Sequence, residues 1–209
     1  MLWGDMVIIM KNIKAKGEVG YIDCKKKLEL LTAVLILACA AAVFVLGLAL
    51  NKWEKGNIFT IIACLLVIPM ARFATTYVML FPFKSVKPEK AKDVEERAKG
   101  GSIIYADVIL TSEKRAMGLD FLVVTGDKVL GVIGREKEDN LDIRNYLQDI
   151  LKRRGYDYKV TIAEDYARFN NLLASSDCVA DMKFEDDEDR EAFEKDRLEV
   201  CKIIESLMP

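Results

Sequence analysis

No histidine occurs in the 209 residues of this chain. That absence excludes Ser-His-Asp and Cys-His catalysis, histidine-ligated zinc and histidine pH switches. Cysteine is sparse as well. Cys24, Cys39, Cys64, Cys178 and Cys201 include no CxxC pair, and two of them lie inside long apolar runs. A structural zinc site or a disulfide framework is therefore not expected, and a reducing, cytosol-facing compartment fits better. Net charge is nearly absent, with 31 basic against 33 acidic residues, so no global field draws nucleic acid to the chain. Neither GxxxxGK[ST] nor a strand-linked GxGxxG occurs, which leaves a nucleotide fold without support.

What is present is grease in two long blocks. Residues 30–50, LLTAVLILACAAAVFVLGLAL, carry one polar side chain, Thr32. As a helix this run spans roughly 30 Å, the thickness of a bilayer's hydrocarbon core. A second apolar run, residues 58–81, follows a polar link at 51–57. The pair reads as a transmembrane hairpin. The first run is too long for a signal-peptide core and a second follows at once, so an uncleaved helix is expected. Residues 1–10 are short and apolar without a clear role, and Met10 is an alternative start to Met1.

Basic residues set the expected topology. Lys11, Lys14, Lys16, Lys25, Lys26 and Lys27 precede the first run, and Lys84, Lys87, Lys90 and Lys92 follow the second. The link offers only Lys52 and Lys55 against Glu54. The positive-inside rule then puts both termini in the cytoplasm, with the chain a multi-pass protein of the cell membrane. Trp53 and Phe59 at one end, and Tyr77, Phe81 and Phe83 at the other, fit interfacial aromatic belts. Lys25, Lys26, Lys27, Lys84 and Lys87 are candidate contacts for anionic lipid headgroups, at about 1 kcal/mol each near the surface. Cys24 lies beside the membrane, where palmitoylation is one use of a cysteine and an unmodified thiol the commoner one.

Two features interrupt the runs. Pro69 and Arg72 sit in the second one, with Arg72 roughly 13 Å deep if the helix is straight. An arginine at mid-bilayer costs about 2.5–3.5 kcal/mol on insertion scales. It marks either a polar membrane site or a span that bends or thins the bilayer. No acidic residue lies inside either run to pair with it, and this favours the second reading. Ala38 and Ala42 form a small-xxx-small pair, with Gly47 further on, and the expected use is packing against the second span of the same chain.

Beyond residue 83 the pattern changes to short alternating elements. Residues 88–99 read as a helix with Pro88 in its first turn and Gly100-Gly101 as its stop. Residues 102–110, 119–125 and 128–133 read as strands, the last two joined by a Gly126-Asp127 hairpin turn. Residues 141–154 form the clearest helix, capped by Asn140 and striped by Ile143, Leu147, Ile150 and Leu151. A strand at 156–162 and a short helix at 164–173 follow. Residues 181–199 hold ten acidic and four basic residues and lead into an apolar stripe, Phe193, Val200, Ile204 and Leu207. A last helix with its acidic face in water is the expected outcome. The fold class is an α/β (α+β) domain of order αβββαβα behind a two-helix hairpin. The domains are a basic N-terminal segment 1–29, the hairpin 30–83 and a cytoplasmic domain 84–209.

Chemistry would have to come from carboxylates. Asp120 opens LDFLVVT on the second strand, and the third strand reads GVIGREK with Glu136 and Lys137 adjacent. In this element order the chain is similar to the NERD-type nuclease domain of the restriction-endonuclease-like superfamily. That resemblance covers residues 88–162. It implies Asp120 as a metal-binding acid. Asp107, Glu136 and Lys137 are the further candidate catalytic residues, and the carboxylates among them converge with Asp120 only if the sheet register places them on one face. The family's Glu-x-Lys is broken here, with Gly134 and Glu136 at its two positions. Metal-assisted hydrolysis needs at least two converging carboxylates. A bland alternative places Asp107 on a solvent-facing strand surface and Asp120 at a strand start. Over most of its length the chain also resembles bacterial membrane proteins of unassigned function, with two N-terminal transmembrane helices and a small cytoplasmic α/β domain. That likeness implies membrane anchorage and supplies no catalytic residues. No cofactor or resident metal is expected. The partners expected are membrane lipids and another protein, with no nucleic acid. The function expected is a non-catalytic binding or scaffolding module. A divergent metal-dependent nuclease and a transport or channel accessory using Arg72 are the alternatives.

Overall fold

The computed structural model describes residues 14–50, 58–98, 100–112, 115–134, 139–176, 182 and 186–209. Met10, Lys11, the link 51–57 with Trp53, Glu136, Lys137 and Cys178 lie outside the described residues. The chain divides into two compact units. One contains Ile22–Lys84; the other joins Lys14–Tyr21 to Ser85–Pro209.

The first unit holds two helices, α1 (Tyr21–Leu50) and α2 (Ile58–Leu80), both long and apolar enough to cross a membrane. α2 continues through Pro69. In α1 the buried positions of the apolar run are Ala33, Ala40 and Gly47, seven residues apart, and Ala63 is buried in α2. Ala38 and Ala42 are exposed. The small residues that sink into the unit therefore follow a seven-residue seam, and the Ala38/Ala42 pair lies off it.

The second unit is a mixed four-stranded sheet with helices on both faces. Its elements are α3 (Pro88–Arg97), β1 (Ile103–Thr111), β2 (Ala116–Thr125), β3 (Lys128–Val132), α4 (Asn140–Arg153), β4 (Lys159–Ala163), α5 (Tyr166–Ser175) and α6 (Asp187–Leu207). Strand order is β1-β2-β3-β4. The first three strands form an antiparallel meander, and β4 returns parallel to β3 through α4. Gly126, at φ +50°, makes the two-residue β2–β3 turn. A parallel return needs a crossover, and the amphipathic stripe of α4 supplies it.

Two apolar layers fill the domain. Ile143, Leu147 and Leu151 of α4 join Val200, Cys201, Ile203 and Ile204 of α6 on one face of the sheet. Ala91 and Val94 of α3 join Phe169 and Leu173 of α5 on the other. Sheet side chains normally alternate between faces. Here the alternation slips once in each of two strands. On β1, Tyr105 and then Val108 and Leu110 face the α4/α6 layer; on β2, Met117 and Leu119 do so, and then Leu122 and Val124. Both slips fall on opposed residues, because Ala106 pairs with Phe121 and Val108 with Leu119. Asp107 and Asp120 lie between those pairs, and Asp107 has φ +52°. One left-handed residue turns β1 over, and β2 follows at the position across from it, so the register survives.

Candidate functional site

Asp107 is buried, with 1% of its surface exposed, and is thus no solvent-facing strand residue. Burial of a carboxyl is costly unless hydrogen bonds replace the water it loses. Here the Gly20 amide donates to Oδ2 at 2.6 Å, and the Val86 amide donates to Oδ1 at 2.7 Å. Gly20 precedes α1 and Val86 follows α2. One side chain therefore ties down the chain where it leaves the domain and where it comes back. Around it, Ala106 N donates to Gly17 O at 2.7 Å and Lys16 Nζ to Met208 O at 2.7 Å.

Asp120 is half-buried in the middle of β2, not at its start. The Tyr166 hydroxyl, at the head of α5, donates to its Oδ2. Gly134 packs so closely that a Cβ there would collide with the Asp120 carboxylate. Lys90 Nζ stands 4.0 Å over the Tyr166 ring, whose edge meets Phe121. Burial pushes the Tyr166 hydroxyl well above the ordinary tyrosine range, and the bond to Asp120 and the charges of Asp120 and Asp107 push it the same way. The sheet thus brings together Asp107, Asp120 and Tyr166, while Glu136 and Lys137 fall outside the described residues. Among the described residues no cluster of three or more His, Cys, Asp or Glu side chains could hold a metal ion.

A larger opening lies elsewhere. A cleft of about 780 Å³ lies beside β4, between the first turns of α4 and the start of α5. Arg144 of α4, Lys159 of β4 and Arg168 of α5 line it, with Asp139 and Glu164. Asp139 is spent as the cap of α4, accepting from Leu141 N at 2.9 Å, where the sequence favoured Asn140 for that role. Gln148 covers the outer side of β4 at Val160, which is 1% exposed. Its Nε2 donates to Tyr158 O at 2.7 Å, and its Oε1 accepts from Val160 N at 3.1 Å. None of these cleft residues stood out in the sequence. They meet only because the crossover sets α4 and α5 on opposite faces of the sheet beside β4.

In the first unit Arg72 is exposed on α2 and forms no ion pair among the described residues. Lys25 pairs with buried Glu29 at 3.3 Å. Lys26 donates to Phe83 O, just past the end of α2. Lys27, Lys84 and Lys87 are exposed.

Comparison with known proteins finds no matching family model, no matching curated protein and no matching solved structure. What can be stated of the class is architectural: two apolar helices near the N-terminus and a small α/β sheet domain.

Proposed function

We propose that this is a membrane-tethered binding module without catalytic activity, its domain and both termini on the cytoplasmic side of the cell membrane. The observation that carries the reading is the state of the acidic pair on the sheet. Hydrolysis would need its carboxylates free to converge on a cation, and Asp107 has both oxygens on backbone amides while Asp120 holds Tyr166. The lysines before α1 and after α2 support the orientation, and exposed Lys27, Lys84 and Lys87 are placed to meet anionic headgroups.

The test is a cleavage assay on the full chain in detergent, with DNA and RNA substrates and Mg²⁺ or Mn²⁺. The expected result is no metal-dependent cleavage beyond that of the Asp120→Asn variant. Cleavage lost in Asp120→Asn would overturn the reading in favour of the nuclease alternative, which the opposition of Asp107 and Asp120 across β1 and β2 keeps in view. Orientation is checked by labelling tags at each end in intact cells; a tag reached only from outside overturns it. A transport role for Arg72 predicts a membrane phenotype for Arg72→Leu, and the binding-module reading predicts none.

A further inference from the structure

We infer that the outward face of α2 around Arg72 is a docking surface for a partner's transmembrane helix that carries a carboxylate at mid-bilayer depth; this rests on the binding-module reading and names the chemistry of its partner.

α2 has 23 residues, and Pro69 is the middle one. At about 1.5 Å per residue, Arg72 stands about 4.5 Å beyond that middle and roughly 12 Å short of Leu80. Helical Cα–Cβ bonds lean toward the N-terminus, so Arg72 leans back toward the level of Pro69 and away from the nearer interface. A break in the span would shorten that distance, but the helix is continuous from Ile58 to Leu80. Arg72 is about two and a half turns from buried Ala63, and it therefore stands on the opposite side of the helix. Leu65 and Ile68 share its face and are 59% and 67% exposed.

Charge then selects the occupant. Charged residues within a membrane almost always face the interior of a helix bundle and pair there. Arg72 faces outward, and no described residue pairs with its guanidinium or accepts a hydrogen bond from it. The neighbouring hydroxyls of Thr75 and Thr76 donate to Ala71 O and Arg72 O, at 2.8 and 3.1 Å. Two helices alone therefore leave the bundle incomplete on this side. A carboxylate completes it, since it takes two parallel N–H bonds from the guanidinium fork. A second copy of this chain cannot supply one. Neither apolar run contains Asp or Glu, and a copy would bring another arginine. The partner is thus a different membrane protein, with Asp or Glu near the middle of one of its spans.

The test reconstitutes the full chain in phosphatidylcholine vesicles with a fluorescent peptide of about 21 leucine and alanine residues, lysines at both ends, and Glu, Gln or Leu at its middle. The middle lies at the same depth whichever way the peptide inserts. Energy transfer between the peptide and a fluorophore tag on the chain reads association. The Glu peptide is expected to associate at least about tenfold more strongly than the Leu peptide, with the Gln peptide between them. Arg72→Leu is expected to remove the preference, and Arg72→Lys to keep part of it. Arg72 is exposed, so both variants are expected to fold, which circular dichroism checks. Ion flux across the vesicles is expected to be the same for Arg72→Leu and the parent. Equal association of the Glu and Leu peptides would leave Arg72 to lipid headgroups and overturn the inference. So would a Gln peptide as strong as the Glu peptide, or a Glu preference that survives Arg72→Leu. Self-association abolished by Arg72→Leu would overturn it in favour of a second copy, and a flux lost with Arg72 in favour of transport. Failure of the chain to float with the vesicles removes the membrane reading beneath it; floating without discrimination between the peptides removes only the partner.

Discussion

Asp107 joins three separate stretches of the chain through one carboxyl, taking the amides of Gly20 and Val86. A non-glycine residue at φ +52° is uncommon, and Asp and Asn are among the few that tolerate it. Its carboxyl makes the position worthwhile by accepting two amides that would otherwise be orphaned. Asp107→Ala removes both acceptors and keeps the backbone penalty. With net losses of about 1–3 kcal/mol for each stranded donor, it is expected to destabilise the domain by about 3–5 kcal/mol. Asp107→Asn, which keeps one acceptor and suits the backbone, is expected to cost less. Chemical denaturation of the full chain in detergent, followed by circular dichroism, ranks the two; equal stability of Asp107→Ala and the parent would refute the clamp. The sequence exposed Asp107 as a carboxylate on a strand and no more. Whether such a residue faces water or amides depends on segments 87 and 21 positions away, which no local pattern encodes.

The tyrosines give a second residue-level prediction. Burial raises Tyr166 and Tyr105 far above the usual value and pushes Tyr158 up to about 12 from 10.0. Their folded values exceed the unfolded one. The stability they contribute is therefore fully present below pH 10 and is lost as pH climbs through 10 toward the folded values. An alkaline titration at 295 nm is expected to show these three still protonated at pH 10.5, with their ionisation coinciding with loss of the circular dichroism signal. Early, structure-preserving titration of all tyrosines would contradict this.

At the scale of elements, periodicity was informative and ends were not. Of the α4 stripe, Ile143, Leu147 and Leu151 are buried and Ile150 partly so, and the Gly126-Asp127 turn joins β2 to β3. β4 begins at Lys159 and not Tyr156, because residues 154–157 complete the turn after α4, with Gly155 at φ +89°. On α1 the small-residue spacing pointed to Ala38 and Ala42 with Gly47; of these Gly47 is buried, and its partners in burial are Ala33 and Ala40. Nearly every side chain in that run is apolar, so composition cannot say which face turns inward. The alternation slip at Asp107 and Asp120 was equally hidden, since both strands are apolar on both sides. Gln148 yields the prediction proper to this scale. Gln148→Ala strands Tyr158 O and Val160 N, and is expected to cost about 1–3 kcal/mol and uncover the strand edge that this side chain shields. Denaturation and light scattering together check it: lower stability accompanied by faster association is expected, whereas unchanged stability would show that the edge does not depend on this side chain.

At the scale of the whole molecule, the domain containing the sheet is discontinuous in sequence. Composition marks residues 14–21 only as a lysine-bearing lead-in to an apolar run. In the structure Gly17, Gly20, Lys16 and Tyr21 bond to Ala106, Asp107, Met208 and Pro209, the last through Tyr21 Oη at 2.6 Å. A fragment cut at the obvious boundary, Ser85–Pro209, would therefore lack one of the two amides that satisfy Asp107. It is expected to lose about 4 kcal/mol by the sum of stranded groups, a large share of a small domain's stability. Gly20 N and Val86 N both reach the same carboxyl, so a flexible Gly/Ser linker of about six residues can replace Ile22–Lys84 without stretching. Lys14–Tyr21 joined in this way to Ser85–Pro209 is expected to melt cooperatively without detergent and well above the truncated fragment. Thermal denaturation of the two proteins side by side decides the matter. If Ser85–Pro209 alone is as stable as the joined form, residues 14–21 are merely a lead to the first helix and the domain begins where the composition changes.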